Sequence, residues 1–523
     1  MHLLHRAFSS INKCSIITTT IILILIGAIF VVFAFVVKSP PGRVFLEENF
    51  QNSPISYAYT QLDENIEGKG QQKIENHKHR NNTHRNHVKP SFLRKSHPIE
   101  LTIDSGSIRG EYLTIGANEF AVFKGIPYAA PPVGSLRFQL PELPAKWRGV
   151  MNASQYAPMC AQRHRDRAID PLNLYKIHIS EDCLYLNVFA PPQFTNDSYP
   201  TIVFLHGGRF QYGSSADYPQ HAILNNFVSR KVVFVSLNFR LGPMGFLSTG
   251  DSVLPGNLGL WDILLALKWV QINAHVFGGD PNNVLLMGHG SGASAASLLA
   301  LSPKAEGLFH KIMLMSGTAI TPGTVRDTAI NATWALDARL HCRSFNSSEL
   351  LECFKKQLRD EILDFEPDPD PDYDLFVPII DGEQGIIPDD PESLALSRRK
   401  MPIMLGTTRD ESALQILLLK EKPVNLSEGL LISEAEQLVT NLTSSYTGFT
   451  NKQLIGEATK HEYIWSKMFS HFWYDAPTSR LATYYARQAM PVFLYSFDHV
   501  SENFETNCEL SFQGNVLILI PEK

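Results

Sequence analysis

Cysteine is scarce, with six residues in a chain of 523. That number allows a few loop-closing disulfides and excludes a fold built mainly on them. Glycine and proline, at 33 and 32 residues, stand at ordinary levels and follow no period, so collagen-like and low-complexity architectures are excluded too. Positive charge is not in excess: 46 lysines and arginines face 52 acids, a balance that argues against a nucleic-acid partner. No compact set of side chains has metal-ligand spacing, so neither metal nor cofactor is expected. What is left is a chain of ordinary apolar content that can bury a large core, read as one large domain plus a tail.

One apolar run breaks this average. Ser15 to Val37 is 23 residues without a charge, enough for a helix to cross a bilayer. It ends at Lys38 without an Ala-x-Ala site and is read as an uncleaved signal anchor. Arg6 and Lys13 precede it, while Lys38 and Arg43 beyond it are balanced by Glu47 and Glu48. The bias puts residues 1–14 in the cytoplasm and the bulk of the chain outside, a single-pass type II arrangement in the plasma or a secretory-pathway membrane. Asn-x-Ser/Thr sequons at Asn81, Asn152, Asn196, Asn331, Asn346, Asn425 and Asn441 all lie beyond the run, as N-glycosylation of an exported domain requires. Cys160 with Cys183, and Cys342 with Cys353, are candidates to close two loops in an oxidising space. Cys14, at the membrane edge, and Cys508 have no evident partner.

Residues 38–97 are polar, have no sustained period and read as a disordered stalk. Its histidines His77, His79, His84, His87 and His97 fit no compact ligand set, so a solvated spacer is preferred to a metal site. Residues 1–97 hold 12 basic residues against 6 acids, leaving 34 against 46 for the remainder. An acidic head on a basic stalk follows. The acidic loop Glu366 to Asp374 offers oxygen ligands for calcium, but alternate carboxylates on an extended chain do not converge, and a solvated loop is preferred.

From about Ile99 onward, ordered motifs accumulate. Phe123-Lys124-Gly125-Ile126-Pro127-Tyr128, Ser180-Glu181-Asp182-Cys183-Leu184-Tyr185-Leu186-Asn187, Asn238-Phe239-Arg240-Leu241-Gly242 and Phe277-Gly278-Gly279-Asp280-Pro281 follow in turn. Val284 to Met287 reads as a buried strand and Ala293 to Leu301 as a helix, with Gly288-His289-Gly290-Ser291-Gly292 between them. A strand, a tight glycine turn and a helix make a nucleophile elbow. This set resembles the type-B carboxylesterase and cholinesterase-like family. The resemblance implies an α/β-hydrolase fold, a mostly parallel sheet flanked by helices, over residues 98–499. It also implies a first disulfide loop closed at Cys183.

Carried over position by position, the resemblance puts glycine where the nucleophile belongs. Counting without a gap from Asp280-Pro281, the nucleophile position falls on Gly290. Ser291 would serve only if the turn slipped by one residue; otherwise its backbone N–H at the first helical turn is all that is asked of it. His206-Gly207-Gly208-Arg209-Phe210 falls on the oxyanion loop, with Arg209 replacing a third glycine. Arg209 is expected to point to solvent or pair internally; the other reading is an acid-binding fork. Glu411 falls on the acid position and, without a histidine to orient, is expected to bond its own loop. His499 belongs to another family position, residues 500–523 contain no histidine, and the C-terminal part is expected to be truncated or divergent. No tryptophan lies between Cys160 and Cys183, so choline-like substrates are not suggested.

This pattern resembles the family's non-catalytic branch, which includes neuroligin, gliotactin and neurotactin and is associated with adhesion. The expectation is a catalytically inactive ectodomain that binds an extracellular protein partner. Dimerisation is possible, though its usual C-terminal helices are not seen. Two alternatives stand beside it: a hydrolase or acyltransferase working through Ser291, and non-catalytic small-molecule binding in a vestigial gorge.

Overall fold

Short apolar runs of period two, separated by glycine turns, become strands, and longer apolar stretches of helical period become the cover. The computed structural model describes residues 93–163, 178–192, 198–365, 375–397, 401–412 and 470–497. The run Ser15 to Val37, the histidines His77 to His87, Cys14, Cys508, Asn81, Asn196, Asn425, Asn441, the acidic loop 366–374, His499 and residues 500–523 lie outside them. Among the described residues, no helix is long and apolar enough to cross a membrane, and no group of three or more His, Cys, Asp or Glu is placed to hold a metal ion.

β1 (Leu93–Ile103), β2 (Gly106–Ile115) and β3 (Asn118–Pro127) form an antiparallel meander, with β4 (Val150–Asn152) alongside β2. β5 (Met159–Cys160) and β6 (Ile179–Ser180) make a separate small pair. β7 (Tyr185–Ala190), β8 (Tyr199–Leu205), β9 (Val233–Leu237), β10 (Gly279–His289), β11 (Lys311–Met315), β12 (Ile403–Thr408) and β13 (Val492–Phe497) continue the main sheet. Its order is β1-β2-β3-β7-β9-β8-β10-β11-β12-β13. β7 runs antiparallel to both neighbours, and the pairs from β9 through β13 are parallel. β8 lies between β9 and β10, so the order reverses there and opens a crevice at the carboxyl ends of β8 and β10, where a parallel sheet places its site.

Both faces of the sheet are covered. Along β8, Ile202 and Phe204 join one core with Ile223 and Leu224 of α1 (Gln220–Asn226), while Val203 and Leu205 join the other. That second core takes in α2 (Leu258–Asn273) and α3 (Ser291–Leu301). Both helices are apolar or small nearly all round, the pattern of helices enclosed on every side. Each fully buried Phe or Leu contributes about 1.5–3 kcal/mol.

Several motif residues turn out to be struts. Arg240 chelates Asp262 of α2 through Nε and Nη2 at 2.8 and 2.7 Å. Arg137 does the same to Glu181 at 2.7 and 2.8 Å. Asn257 exchanges two hydrogen bonds with the backbone of Ile379, at 2.8 and 3.0 Å. Cys160 is bonded to Cys183 and Cys342 to Cys353. β1 starts at Leu93, inside the segment read as stalk: Leu93, Arg94 and Lys95 pair with Ile115, Thr114 and Leu113 of β2. Backbone pairing does not need apolar periodicity, which is why composition missed it.

Candidate catalytic elbow and its surroundings

β10 ends at His289 and α3 begins at Ser291, which makes Gly290 the apex of the turn. Gly290 has φ 55° and ψ −122°, a conformation that an L-residue adopts only under strain. Its N–H donates to the Met315 carbonyl at 2.8 Å and its carbonyl accepts from Ser294 N–H at 3.0 Å. A Cβ built on Gly290 would meet only the Cα of Gly207, 3.9 Å away. The position that would present a hydroxyl to the oxyanion loop therefore holds space and no functional group.

Ser291 is the first residue of α3, and its Oγ accepts the backbone N–H of Phe210 at 3.1 Å. The side chain thus ties the helix start to the loop after β8, a role beyond the backbone N–H expected of it. Replacing Ser291 by Ala strands the Phe210 N–H of a buried residue and is expected to cost about 1–2 kcal/mol in urea unfolding. Background ester turnover should not change; a fall on Ser291→Ala would make it a nucleophile.

The facing loop is forced into positive φ at three successive residues: Gly208 at 120°, Arg209 at 57° and Phe210 at 64°. Glycine is obligatory at 208, where a Cβ would come within 1.9 Å of the Tyr212 carbonyl oxygen. Arg209 takes a left-handed conformation that a non-glycine residue reaches at about 1–2 kcal/mol, so the fold tolerates it. Residue 209 is exposed, while its charge still acts on the buried Tyr474 phenol. Gly207 N–H donates to the Tyr218 hydroxyl at 3.5 Å. That hydroxyl also lies 3.4 Å from His289 Nδ1. Burial pushes the His289 imidazole below its ordinary pKa, which keeps it neutral near pH 7.

Glu411 follows β12. Its Oε1 accepts from the Ser316 hydroxyl at 2.5 Å and from Thr408 N–H at 2.6 Å, so it bonds its own loop and the turn after β11. Burial raises its carboxyl above the ordinary 4.5, and those hydrogen bonds oppose the rise. Tyr474 stands close by: burial first, then the charge of Glu411, pushes its phenol up to about 12, against the pull of Arg209.

The pKa of Glu411 sets a pH dependence. A carboxyl raised in the folded state binds its proton more tightly there than in the unfolded chain. Stability from this group is thus lost as pH rises from about 4.5 through the folded value. Glu411→Gln keeps an acceptor for both donors and removes the charge. It is expected to match or exceed the wild type at pH 7, with the difference closing below about pH 4.5. Glu411→Ala leaves both donors unpaired and should lose about 1–3 kcal/mol. Urea midpoints at pH 4 and pH 7 check both variants.

The structure brings Gly207, Gly208, Gly290, Ser291 and Glu411 to one end of the sheet, around the carboxyl ends of β8, β10 and β12. Tyr218, Ser316 and Tyr474 complete the surroundings and went unread, because no motif marks them. A 10 Å³ void beside Arg240 and an open 340 Å³ depression beside His97 are lined by none of the elbow residues. Asn152, Asn331 and Asn346 are all exposed.

The strand order with its reversal at β8, the positive-φ turn between β10 and α3, and the carboxylate loop after β12 define an α/β-hydrolase fold. The chain belongs to the carboxylesterase family, whose sequence profile matches residues 97–515. That match runs past His499, where the recognisable motifs stop. The chain is similar to neuroligin-2 of Mus musculus, 32% identical over 426 residues covering 72% of this chain and 50% of that protein. Neuroligin-3 of Mus musculus is 30% identical over 429 residues, covering 72% and 51%. Carboxylesterase 4A of Bos taurus is 31% identical over 421 residues, covering 75% and 76%. The chain spans about half the length of the neuroligins it matches.

Proposed function

We propose that this chain is a non-catalytic, membrane-anchored member of the carboxylesterase family whose ectodomain acts in cell adhesion or signalling by binding an extracellular protein. Gly290 carries the reading. An apex without a hydroxyl has nothing to attack an ester, and loss of the nucleophile alone removes about a millionfold of rate in a serine hydrolase. The hydrogen bond from Phe210 N–H to Ser291 Oγ supports it, because the neighbouring hydroxyl is already engaged in structure. The charge-free run Ser15 to Val37 and the exposed sequon asparagines Asn152, Asn331 and Asn346 fit a type II orientation with the domain outside the cell.

A second reading, ester hydrolysis, is favoured by the similarity to carboxylesterase 4A, of which the aligned segment covers 76%. It requires Ser291 Oγ to leave Phe210 and find a base.

Binding of the soluble domain to a panel of intact cells tests the proposal. Saturable binding that is lost when surface protein is removed by protease is expected. Absence of saturable binding across the panel, together with turnover of simple esters, would sink it.

A further inference from the structure

We infer that Asn346 carries an N-linked glycan whose first sugar stacks on the ring of Phe345, so that the loop closed by Cys342 and Cys353 presents carbohydrate to the outside. The inference rests on the exported orientation proposed above.

Phe345 is 93% exposed, while its backbone is held in place. Its N–H donates to Glu349 Oε2 at 3.0 Å. The preceding Ser344 N–H donates to both carboxylate oxygens of Asp337, at 3.4 and 3.2 Å. The disulfide between Cys342 and Cys353 closes the loop against α4 (Ser347–Phe354). A ring on a pinned backbone loses little further entropy when a ligand settles on it. Its negative face attracts the polarised C–H groups of a pyranose.

Asn346, the next residue along the chain, is the attachment point. It is the N-cap of α4, in extended backbone conformation (φ −154°, ψ 167°), and it is exposed. Oδ1 accepts from Glu349 N–H at 3.0 Å, and Nδ2 donates to Glu349 Oε1 at 2.9 Å. Nδ2 carries two hydrogens, so one can be replaced while the other keeps the bond to Glu349 and Oδ1 keeps the cap. In the transfer, Nδ2 forms a bond to the anomeric carbon of an oligosaccharide carried on a lipid diphosphate. The carbon–oxygen bond to the diphosphate breaks, the lipid diphosphate leaves, and the amide gives up one proton. Ser348, the hydroxyl residue of this sequon, is exposed. At Asn331 the corresponding Thr333 is buried, donating to the Ala329 carbonyl and accepting from Ser248 N–H.

The test expresses the full chain in cells that perform N-glycosylation and maps glycopeptides at all seven sequons. Ser348→Ala, which removes the sequon and leaves the cap, is then made with Phe345 and with Phe345→Ala. Occupancy at Asn346 is expected. Ser348→Ala should lower Tm by about 1–2 °C with Phe345 in place and not at all in Phe345→Ala. Protein from a host that adds no glycans gives the effect of the serine change alone. A bare Asn346 beside any other occupied sequon would overturn the inference and leave the exported orientation standing. All seven sequons bare would overturn both. Occupancy with an equal Tm loss in both backgrounds would overturn the stacking.

Discussion

A fluorophosphonate probe is expected to leave the folded wild-type protein unlabelled, and turnover of simple esters should fall about a millionfold below that of an active carboxylesterase assayed alongside. The size of the effect follows from the division of work in such a site. Serine, base and acid act as a unit, so removing the nucleophile costs about as much as removing the whole set, and only binding and oxyanion donors remain. Here the apex is Gly290, Ser291 Oγ accepts from Phe210 N–H, and Glu411 accepts from Ser316 and Thr408. Mass spectrometry of the labelled protein decides the matter. Label on Ser291 would show that this hydroxyl can leave Phe210 and would restore the hydrolase reading; label elsewhere would point to a nucleophile outside the elbow.

The elbow was legible in the sequence because its parts are contiguous. Val284 to Met287 lies in β10, the helix expected from Ala293 starts two residues earlier at Ser291, and Gly290 occupies the apex that gap-free counting assigned to it. The disulfides were legible as proximity along the chain, at separations of 23 and 11 residues. The partners of Glu411 and His289 were not. Ser316 lies 95 residues from Glu411, and Tyr218 lies 71 from His289. They meet only because β11 pairs with both β10 and β12, and because the segment after β8 folds back over the elbow. Sheet order brings these pairs together, and no local pattern encodes it. The motifs that revealed the family proved to be largely structural. Arg240 with Asp262, Arg137 with Glu181 and Asn257 with Ile379 brace the fold, which explains how the motifs persist around an apex without a hydroxyl.

Alanine at Gly288 or Gly292 should prevent folding, whereas serine at Gly290 should be tolerated. A Cβ on Gly288 would lie 2.2 Å from the Gly292 carbonyl oxygen and 2.5 Å from Ala293 N. One on Gly292 would lie 2.4 Å from the carbonyl oxygens of both His206 and Leu205. These neighbours are backbone atoms of α3, of Leu205 at the end of β8 and of His206 just beyond it, and cannot turn aside as a side chain would. The expected cost is about 3 kcal/mol or more, seen as loss of folded protein. At Gly290 a Cβ has open space, with only Gly207 Cα 3.9 Å away. The cost of Gly290→Ser is therefore the strain of φ 55° alone, about 1–3 kcal/mol. Yield of folded protein should rank the three variants, with Gly290→Ser recovered at a urea midpoint lowered by that strain and the two alanine variants lost. If Gly290→Ser instead fails to fold like Gly288→Ala, the apex was closed by packing, and the missing hydroxyl would be a consequence of the fold. If the ranking holds, the turn would still accept a serine, and the missing hydroxyl is a property of one side chain set in an otherwise intact turn.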